Sequence, residues 1–365
     1  MPNPPLTIKV PGKLMIAGEF AVLEPHHDLV VMAVDRYVYA TLKRNNENRL
    51  TLHNFKLYDL KWEFEDQVNI TSTDNRLRFV EDAMTICLTY LQEKGITCNP
   101  FDLSIKSELD DASGLKYGLG SSAAVVTSAV SVILEEFLPD SPTKELIFKL
   151  ASIAHVKTQG SGSGADVAAS SYGGLLRYSS FQAEWLKEQH EKTVSILELV
   201  NSEWTYFSIE PITFPDTIQM CIGWTGKPAS TSSLIGEIKK LKVDNNKSYQ
   251  EFLHNSQQAV STFLKGIKDE DSSFILDGVR QNRQALSTVG KQAKAAIETP
   301  LLGDLCDLAE QIDGAGKPSG AGGGDCGIAF VSTSERAQKL KSLWENAGIK
   351  PLDIRLARDG ACVHN

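Results

Sequence analysis

Apolar and polar positions alternate through the first third of the chain, and alternation at period two predicts half-buried strands. Residues 6–10 form a weak alternation that runs through Pro11, Gly12 and Lys13 into the apolar Leu14, Met15, Ile16 and Ala17. Residues 30–42, rich in Val, Tyr and Ala, predict strands around Asp35 and Arg36, and residues 50–64 predict a hairpin. The period then changes. Leu77, Val80, Ala83, Met84, Cys87, Leu88 and Leu91 recur at helical spacing between Thr73 and Lys94, with Gly95 as a fitting stop. A short strand over 101–105 and a polar loop precede a helix over 123–137, whose few polar positions imply burial. Pro142 opens another helix, to Val156, at a position where proline is tolerated. Residues 167–171 are a run of small side chains, and 173–178 predict a turn and a strand.

The second half begins with a charged, linker-like stretch over 183–202. An apolar strand over 218–224 follows, then long helical patterns over 248–267 and 274–295 and a third near 301–312. A strand over 328–331, a helix near 336–347 and a strand near 351–357 close the chain. The break between halves falls between about 180 and 205, which divides the chain into residues 1–190 and 200–365. At 365 residues the chain exceeds one ordinary core, so two domains are expected.

The net charge of -9 argues against general nucleic-acid or anionic-membrane binding, which needs a basic field. It also means that an anionic substrate must be drawn in by a local basic pocket. The first five residues carry no basic stretch before an apolar one, so no signal peptide is expected, and the longest apolar run, 29–34, is far short of a membrane span. The six cysteines form no Cys-x-x-Cys pair or zinc-spaced cluster, which predicts reduced thiols in a cytoplasmic protein.

Three glycine-rich segments carry the candidate chemistry. Any one of them alone reads equally well as a tight turn. Gly118-Leu119-Gly120-Ser121-Ser122 does better, because its glycines stand directly before the buried helix. Free backbone N–H groups and the positive helix end then converge on one point, which suits phosphate. Ser121 and Ser122 add hydroxyls, one of them a candidate Mg²⁺ ligand, and Lys116 adds positive charge beside them. No Walker-type Gly-x-x-x-x-Gly-Lys-[Ser/Thr] occurs. The loose dinucleotide patterns at 118–123 and 322–327 lack the required strand–turn–helix setting.

These segments resemble the three motifs of the galactokinase, homoserine, mevalonate and phosphomevalonate (GHMP) kinase superfamily. Pro11-Gly12-Lys13-Leu14-Met15-Ile16-Ala17-Gly18-Glu19-Phe20-Ala21-Val22-Leu23 is similar to motif one, 118–124 to motif two, and Lys317-Pro318-Ser319-Gly320-Ala321-Gly322-Gly323-Gly324-Asp325 to motif three. Order and spacing match across essentially the whole chain. Phe20, where mevalonate kinases typically have histidine, together with Lys116-Tyr117-Gly118 and the segment 223–231, makes the chain most similar to the bacterial phosphomevalonate kinases. The implied fold is α+β and two-lobed, an N-terminal ribosomal-protein-S5-like α/β lobe with motifs one and two and a C-terminal ferredoxin-like α+β lobe with motif three. ATP and substrate would share the cleft between lobes. The implied reaction passes the γ-phosphoryl group of ATP to (R)-5-phosphomevalonate, giving 5-diphosphomevalonate and ADP on the route to isoprenoids, with Mg²⁺ as cofactor. Mevalonate kinase, another small-molecule kinase of the superfamily, or a catalytically silent ATP-binding sensor are the alternatives.

The resemblance assigns roles residue by residue. Lys13 and Asp166 are the catalytic candidates; Gly118, Leu119, Gly120, Ser121, Ser122 and Ala123 hold the ATP phosphates. Lys13, Lys116, Ser163, Thr231, Gly320, Ala321 and Gly322 contact the acceptor, with Arg36, Lys157 and Lys227 as weaker members of the same basic pocket. A phosphomonoester has a second pKa of about 6 and is already anionic at neutral pH, so no base is needed. Lys13 is therefore expected to stabilise the transferring group, Lys116 to hold the acceptor phosphate, and Asp166 to orient Lys13 and bind the 3-hydroxyl or Mg²⁺. One departure stands out: counting eleven residues back from Asp166 reaches His155, where mevalonate kinases place a glutamate Mg²⁺ ligand.

Overall fold

The computed structural model describes residues 4–110, 117–193, 195–227 and 231–364, without the side chains of Thr231 and Ser232. Along the chain run β1 (Leu6–Ala17), β2 (Asp28–Arg44), β3 (Arg49–Leu52), β4 (Leu57–Phe64), β5 (Val68–Ile70), α1 (Arg78–Glu93), β6 (Phe101–Ser107), α2 (Ser121–Phe137), α3 (Lys144–Gln159), α4 (Ala165–Tyr172), β7 (Leu175–Ser179), α5 (Ala183–Lys192), α6 (Ile196–Asn201) and β8 (Ser208–Ile212). They are followed by β9 (Gln219–Trp224), α7 (Thr231–Asp244), α8 (Asn246–Asp269), α9 (Ser272–Ala293), α10 (Pro300–Glu310), β10 (Ala315–Pro318), β11 (Cys326–Val331), α11 (Ser334–Asn346), β12 (Lys350–Leu352) and β13 (Cys362–Val363).

Among the described residues the strands form two sheets. The first has nine strands, in the order β13-β1-β2-β6-β3-β4-β5 with β7 and β8 branching from β2; the second has four, β10-β11-β9-β12. The strands expected around Asp35 are one long strand, β2, which bulges at Asp35 and Arg36: Pro11 pairs with Tyr37 and Gly12 with Val34. α2 and α4 pack against β1 and β2, and α1, α2 and α3 pack on one another. This explains why α2 could afford its apolar sequence: eleven of its residues, including Val126, Val130 and Ile133, are buried.

Several expectations need correction. The stretch 183–202 is two helices, α5 and α6, because Leu186, Ile196, Leu199 and Val200 are buried beneath its charged exterior. Pro142 lies outside α3, which is capped by Thr143 accepting from Leu146 N at 3.2 Å. The final strand is shorter than expected, β12, with β13 beyond it returning to β1. The first sheet also runs on to Ile212 through β8, past the break expected near 190–200. The main apolar core does not respect that break either. It joins Leu14, Ile16 and Val31 to Val260, Phe263, Val279, Ile328 and Phe330. The hairpin of α8 and α9 is the reason, since it lies against β1 and β2 as well as β10.

Candidate active site

Lys13 follows directly on the break in β1–β2 register between Pro11 and Gly12. Gly12 has no side chain, and a Cβ there would stand 2.7 Å from the Leu119 carbonyl oxygen. That close approach lets Lys13 N donate to Leu119 O at 2.8 Å, which stitches the strand to the glycine loop. Lys13 is only 8% exposed, and its Nζ donates to Gly118 O at 3.1 Å. It is therefore not a solvated surface lysine.

The loop itself needs two left-handed residues, Gly118 at φ 81° and Gly120 at φ 78°. Gly120 is the N-cap of α2 and carries no side chain to occupy the helix's first amides. A Cβ on Gly120 would lie 2.9 Å from Lys13 Cγ and 3.5 Å from Asp166 Cβ, and one on Gly118 would lie 2.7 Å from the Asp325 carboxylate. The start of α2, with Ser121, Ser122 and Ala123, thus faces Lys13 and Asp166 across a gap that only glycine leaves open. Leu119 is 1% exposed and anchors the loop in the core, so its backbone and not its side chain is available to a ligand. Tyr117 packs edge-on against Trp224, centroids 5.0 Å apart. Lys116 lies outside the described residues, and Thr231 is described only as the first residue of α7.

Asp166 comes from the first turn of α4, behind Gly164 at φ 75°. Its Oδ1 accepts from Val167 N at 3.0 Å. Ser163 Oγ accepts from Ala165 N at 3.3 Å, and its carbonyl accepts from the buried Tyr178 hydroxyl at 2.5 Å. Asp166, Ser163, Glu19, His155, Gly320 and Ala321 line a cavity of about 90 Å³. Among the described residues no ion pair joins Asp166 to Lys13, whose ammonium donates to the Gly118 carbonyl at 3.1 Å.

Motif three is built into motif one. Ser319 Oγ donates to Met15 O at 2.9 Å and accepts from Met15 N at 3.1 Å, which imitates a neighbouring strand. Lys317 donates to the Glu19 carboxylate, and Gly320 N donates to Glu19 Oε1 at 3.3 Å. A Cβ on Gly320 would stand 3.9 Å from Lys13 Nζ, so this turn reaches Lys13. Gly322 turns the other way, its absent Cβ 2.2 Å from the Ile297 carbonyl. Glu19 and Lys317 were not singled out from the sequence. Each sits inside a quoted motif, but no local signal couples residues 298 positions apart.

His155 Nε2 and Ser122 Oγ stand 3.3 Å apart, and the Phe79 ring stacks on the imidazole. Burial lowers the His155 pKa, against an opposing pull from Asp166. Among the described residues no group of three or more His, Cys, Asp or Glu side chains gathers to hold a metal. Two of the weaker candidates stand apart. Arg36 donates to the carbonyls of Asp35 and Asp353 and Lys157 pairs with Asp82 at 2.9 Å, whereas Lys227 adjoins motif three through its carbonyl, which accepts from Asp325 N at 2.7 Å, with its side chain exposed.

The family model of the GHMP kinases N terminal domain matches residues 79–174, and that of the GHMP kinases C terminal matches 277–350. A phosphomevalonate kinase of Streptomyces sp. strain CL190 is 31% identical, over 96% of each chain. The chain belongs to the GHMP kinases. A solved structure from Listeria innocua superimposes on this kinase with TM-score 0.94 at 35% identity, covering 99% of this chain and 100% of that one. The Streptococcus pneumoniae phosphomevalonate kinase, solved in complex with phosphomevalonate and AMPPNP, superimposes with TM-score 0.84 at 27% identity, covering 96% and 99%. The kinase has the α+β fold of that family, and among the described residues no helix is long and apolar enough to cross a membrane.

Proposed function

We propose that this kinase transfers the γ-phosphoryl group of ATP to (R)-5-phosphomevalonate, releasing ADP and 5-diphosphomevalonate, a step of isoprenoid precursor synthesis. The observation that carries the proposal is the meeting of all three glycine segments at one cation. Lys13 comes from the first, bonds the Gly118 carbonyl of the second, and lies beside Gly320 of the third. The relatives add the acceptor, since the Streptomyces and Streptococcus proteins are phosphomevalonate kinases.

In this reading the uncapped start of α2 receives the ATP phosphates on the amides of Ser121, Ser122 and Ala123. An oxygen of the acceptor's phosphate attacks the γ-phosphorus, and the bond to the ADP oxygen breaks. The attacking oxygen is already anionic near neutrality, so no side chain takes a proton. The obstacle is repulsion between two anions, and Lys13 supplies the charge that offsets it. Asp166 and Ser163 hold the acceptor's 3-hydroxyl, and Ala321 and Gly320 close the cavity around it. Lys116 meets the acceptor phosphate at the lip of the glycine loop.

A Mg²⁺ ion fits only as a partner of the nucleotide. Ser122 Oγ and the Asp166 carboxylate offer oxygen, His155 offers nitrogen, and the phosphates and water would complete the shell. When bound, it neutralises charge on the transferring group. The free state of the cysteines supports a cytoplasmic location.

The decisive experiment measures ADP release with mevalonate and 5-phosphomevalonate side by side. Turnover with 5-phosphomevalonate alone is expected. Turnover with mevalonate alone would make this a mevalonate kinase, and none with either would support a silent sensor.

A further inference from the structure

A second, larger cavity, of about 580 Å³, adjoins the first. Phe20, Leu23, Gly162 and Ile235 belong to the walls of both. Three lysines line it: Lys187 from α5, and Lys239 and Lys242 from α7. Two of them are already neutralised. Lys239 pairs with Glu184 at 3.2 Å, and Lys242 pairs with Glu24 at 2.7 Å. The Tyr249 hydroxyl also donates to that Glu24 oxygen, at 2.8 Å.

Lys187 is different. It is half-buried, yet among the described residues it has no carboxylate or hydrogen-bond partner. Its Nζ lies 3.6 Å from where a Cβ of Gly160 would be, at the start of the loop that carries Gly162 and Ser163 into the smaller cavity. An incoming anion would give this unpaired ammonium a charge-assisted partner. The chain as a whole is acidic, at -9, so such a cation is not part of a general basic surface.

The acceptor of the proposed reaction has two anionic ends. Its phosphate must lie at Lys13, where the transfer happens, which leaves the carboxylate at the other end of the molecule to be placed. We propose that Lys187 is a specificity-determining residue that binds this carboxylate, with the acceptor lying from Lys13 through the smaller cavity toward the larger one. This rests on the reading of the acceptor as 5-phosphomevalonate. It explains how a site could require a carboxylate as well as a phosphate: an acceptor lacking the carboxylate leaves Lys187 unpaired.

The test compares wild type, Lys187→Met, Lys187→Arg and, as a control lining the same cavity, Lys239→Met. The probes are 5-phosphomevalonate and its C1 amide, which keeps the phosphate and 3-hydroxyl but not the carboxylate charge. Lys187→Met is expected to raise KM for 5-phosphomevalonate by about tenfold or more, as loss of a charge-assisted hydrogen bond does, with kcat changing less than KM. KM for ATP should stay within about twofold. Lys187→Arg should recover most of the loss, and Lys239→Met should resemble wild type. For the amide, wild type and Lys187→Met should be equally poor. An unchanged KM in Lys187→Met, or an equal rise for acid and amide, overturns the assignment while leaving the proposed reaction standing. Absence of 5-phosphomevalonate turnover in the wild type overturns both.

Discussion

Lys317, wholly closed to solvent, donates to the carboxylate of Glu19, which stands 298 positions earlier in the chain. The pair locks motif three onto motif one, and Gly320 N adds a further donor to the same carboxylate at 3.3 Å. Glu19 is 1% exposed and Lys317 is 0% exposed, so removing either charge strands the other. Lys317→Met is expected to cost about 3–5 kcal/mol in unfolding free energy, read from urea titration. The double variant Glu19→Gln, Lys317→Met should recover more than half of that, because no uncompensated ion remains. A double variant less stable than Lys317→Met alone would show that the pair acts through packing and not through charge.

Lys13 and Asp166 should separate in their kinetics. Lys13 bonds the Gly118 carbonyl and lies beside Gly320, and Lys13→Met should lower kcat by about 10²–10³. Asp166→Asn keeps the hydrogen-bonding shape and loses only charge, so a fall of about tenfold is expected, mostly in KM for the acceptor. Its pH–rate profile should parallel the wild type's. Abolished turnover together with a lost basic limb would establish Asp166 as a base.

The spacing at the glycine loop is tight enough to test by one methyl group. At Gly120 the backbone is left-handed, φ 78°, and a Cβ would press within 2.9 Å of Lys13 Cγ. Gly120→Ala is therefore expected to cost about 1–2 kcal/mol in stability and, by displacing Lys13, at least tenfold in kcat. The measurement is steady-state kinetics beside thermal unfolding. Gly95 makes a fair comparison, since it too has a positive φ, 74°, but nothing lies near its missing Cβ. Gly95→Ala should cost a similar amount of stability and no activity.

The contrast between what was legible in the sequence and what was not follows from range. Periodicity revealed α1, α2, α8 and α9, because each buries one continuous apolar stripe or face. It missed α7, where Leu234, Ile238 and Leu241 are too thinly spread among lysines, and it mistook α5 for a linker because its charged positions outnumber Leu186. The glycine turn before α2 was readable because glycines and a following helix are adjacent in sequence. The clamp of Glu19 on Lys317 and the insertion of Ser319 into β1 were not, since both depend on the second sheet meeting the first. The continuous core was hidden for the same reason: the α8–α9 hairpin serves both sheets.

The last prediction concerns pH. Burial holds the pKa of His155 below its ordinary 6.5, against the opposing pull of Asp166, and burial likewise lowers His27 and His190. A histidine whose folded pKa is depressed takes up its proton more readily in the unfolded chain. Its contribution to stability is therefore complete above pH 6.5 and is lost as pH falls through the folded value. Tm should decline as pH is lowered from about 7.5 to about 5. Protonation of His155 also leaves Nε2 able only to donate toward Ser122 Oγ, 3.3 Å away, and puts a cation between Phe79 and the start of α2. His155→Asn cannot charge, so its Tm should fall less steeply over the same interval, even if it starts lower at pH 7.5. Because Ser122 is among the residues proposed to receive the ATP phosphates, KM for ATP should rise with acidity in the wild type and much less in the variant. Superimposable slopes of Tm against pH would show that His155 does not titrate in this range.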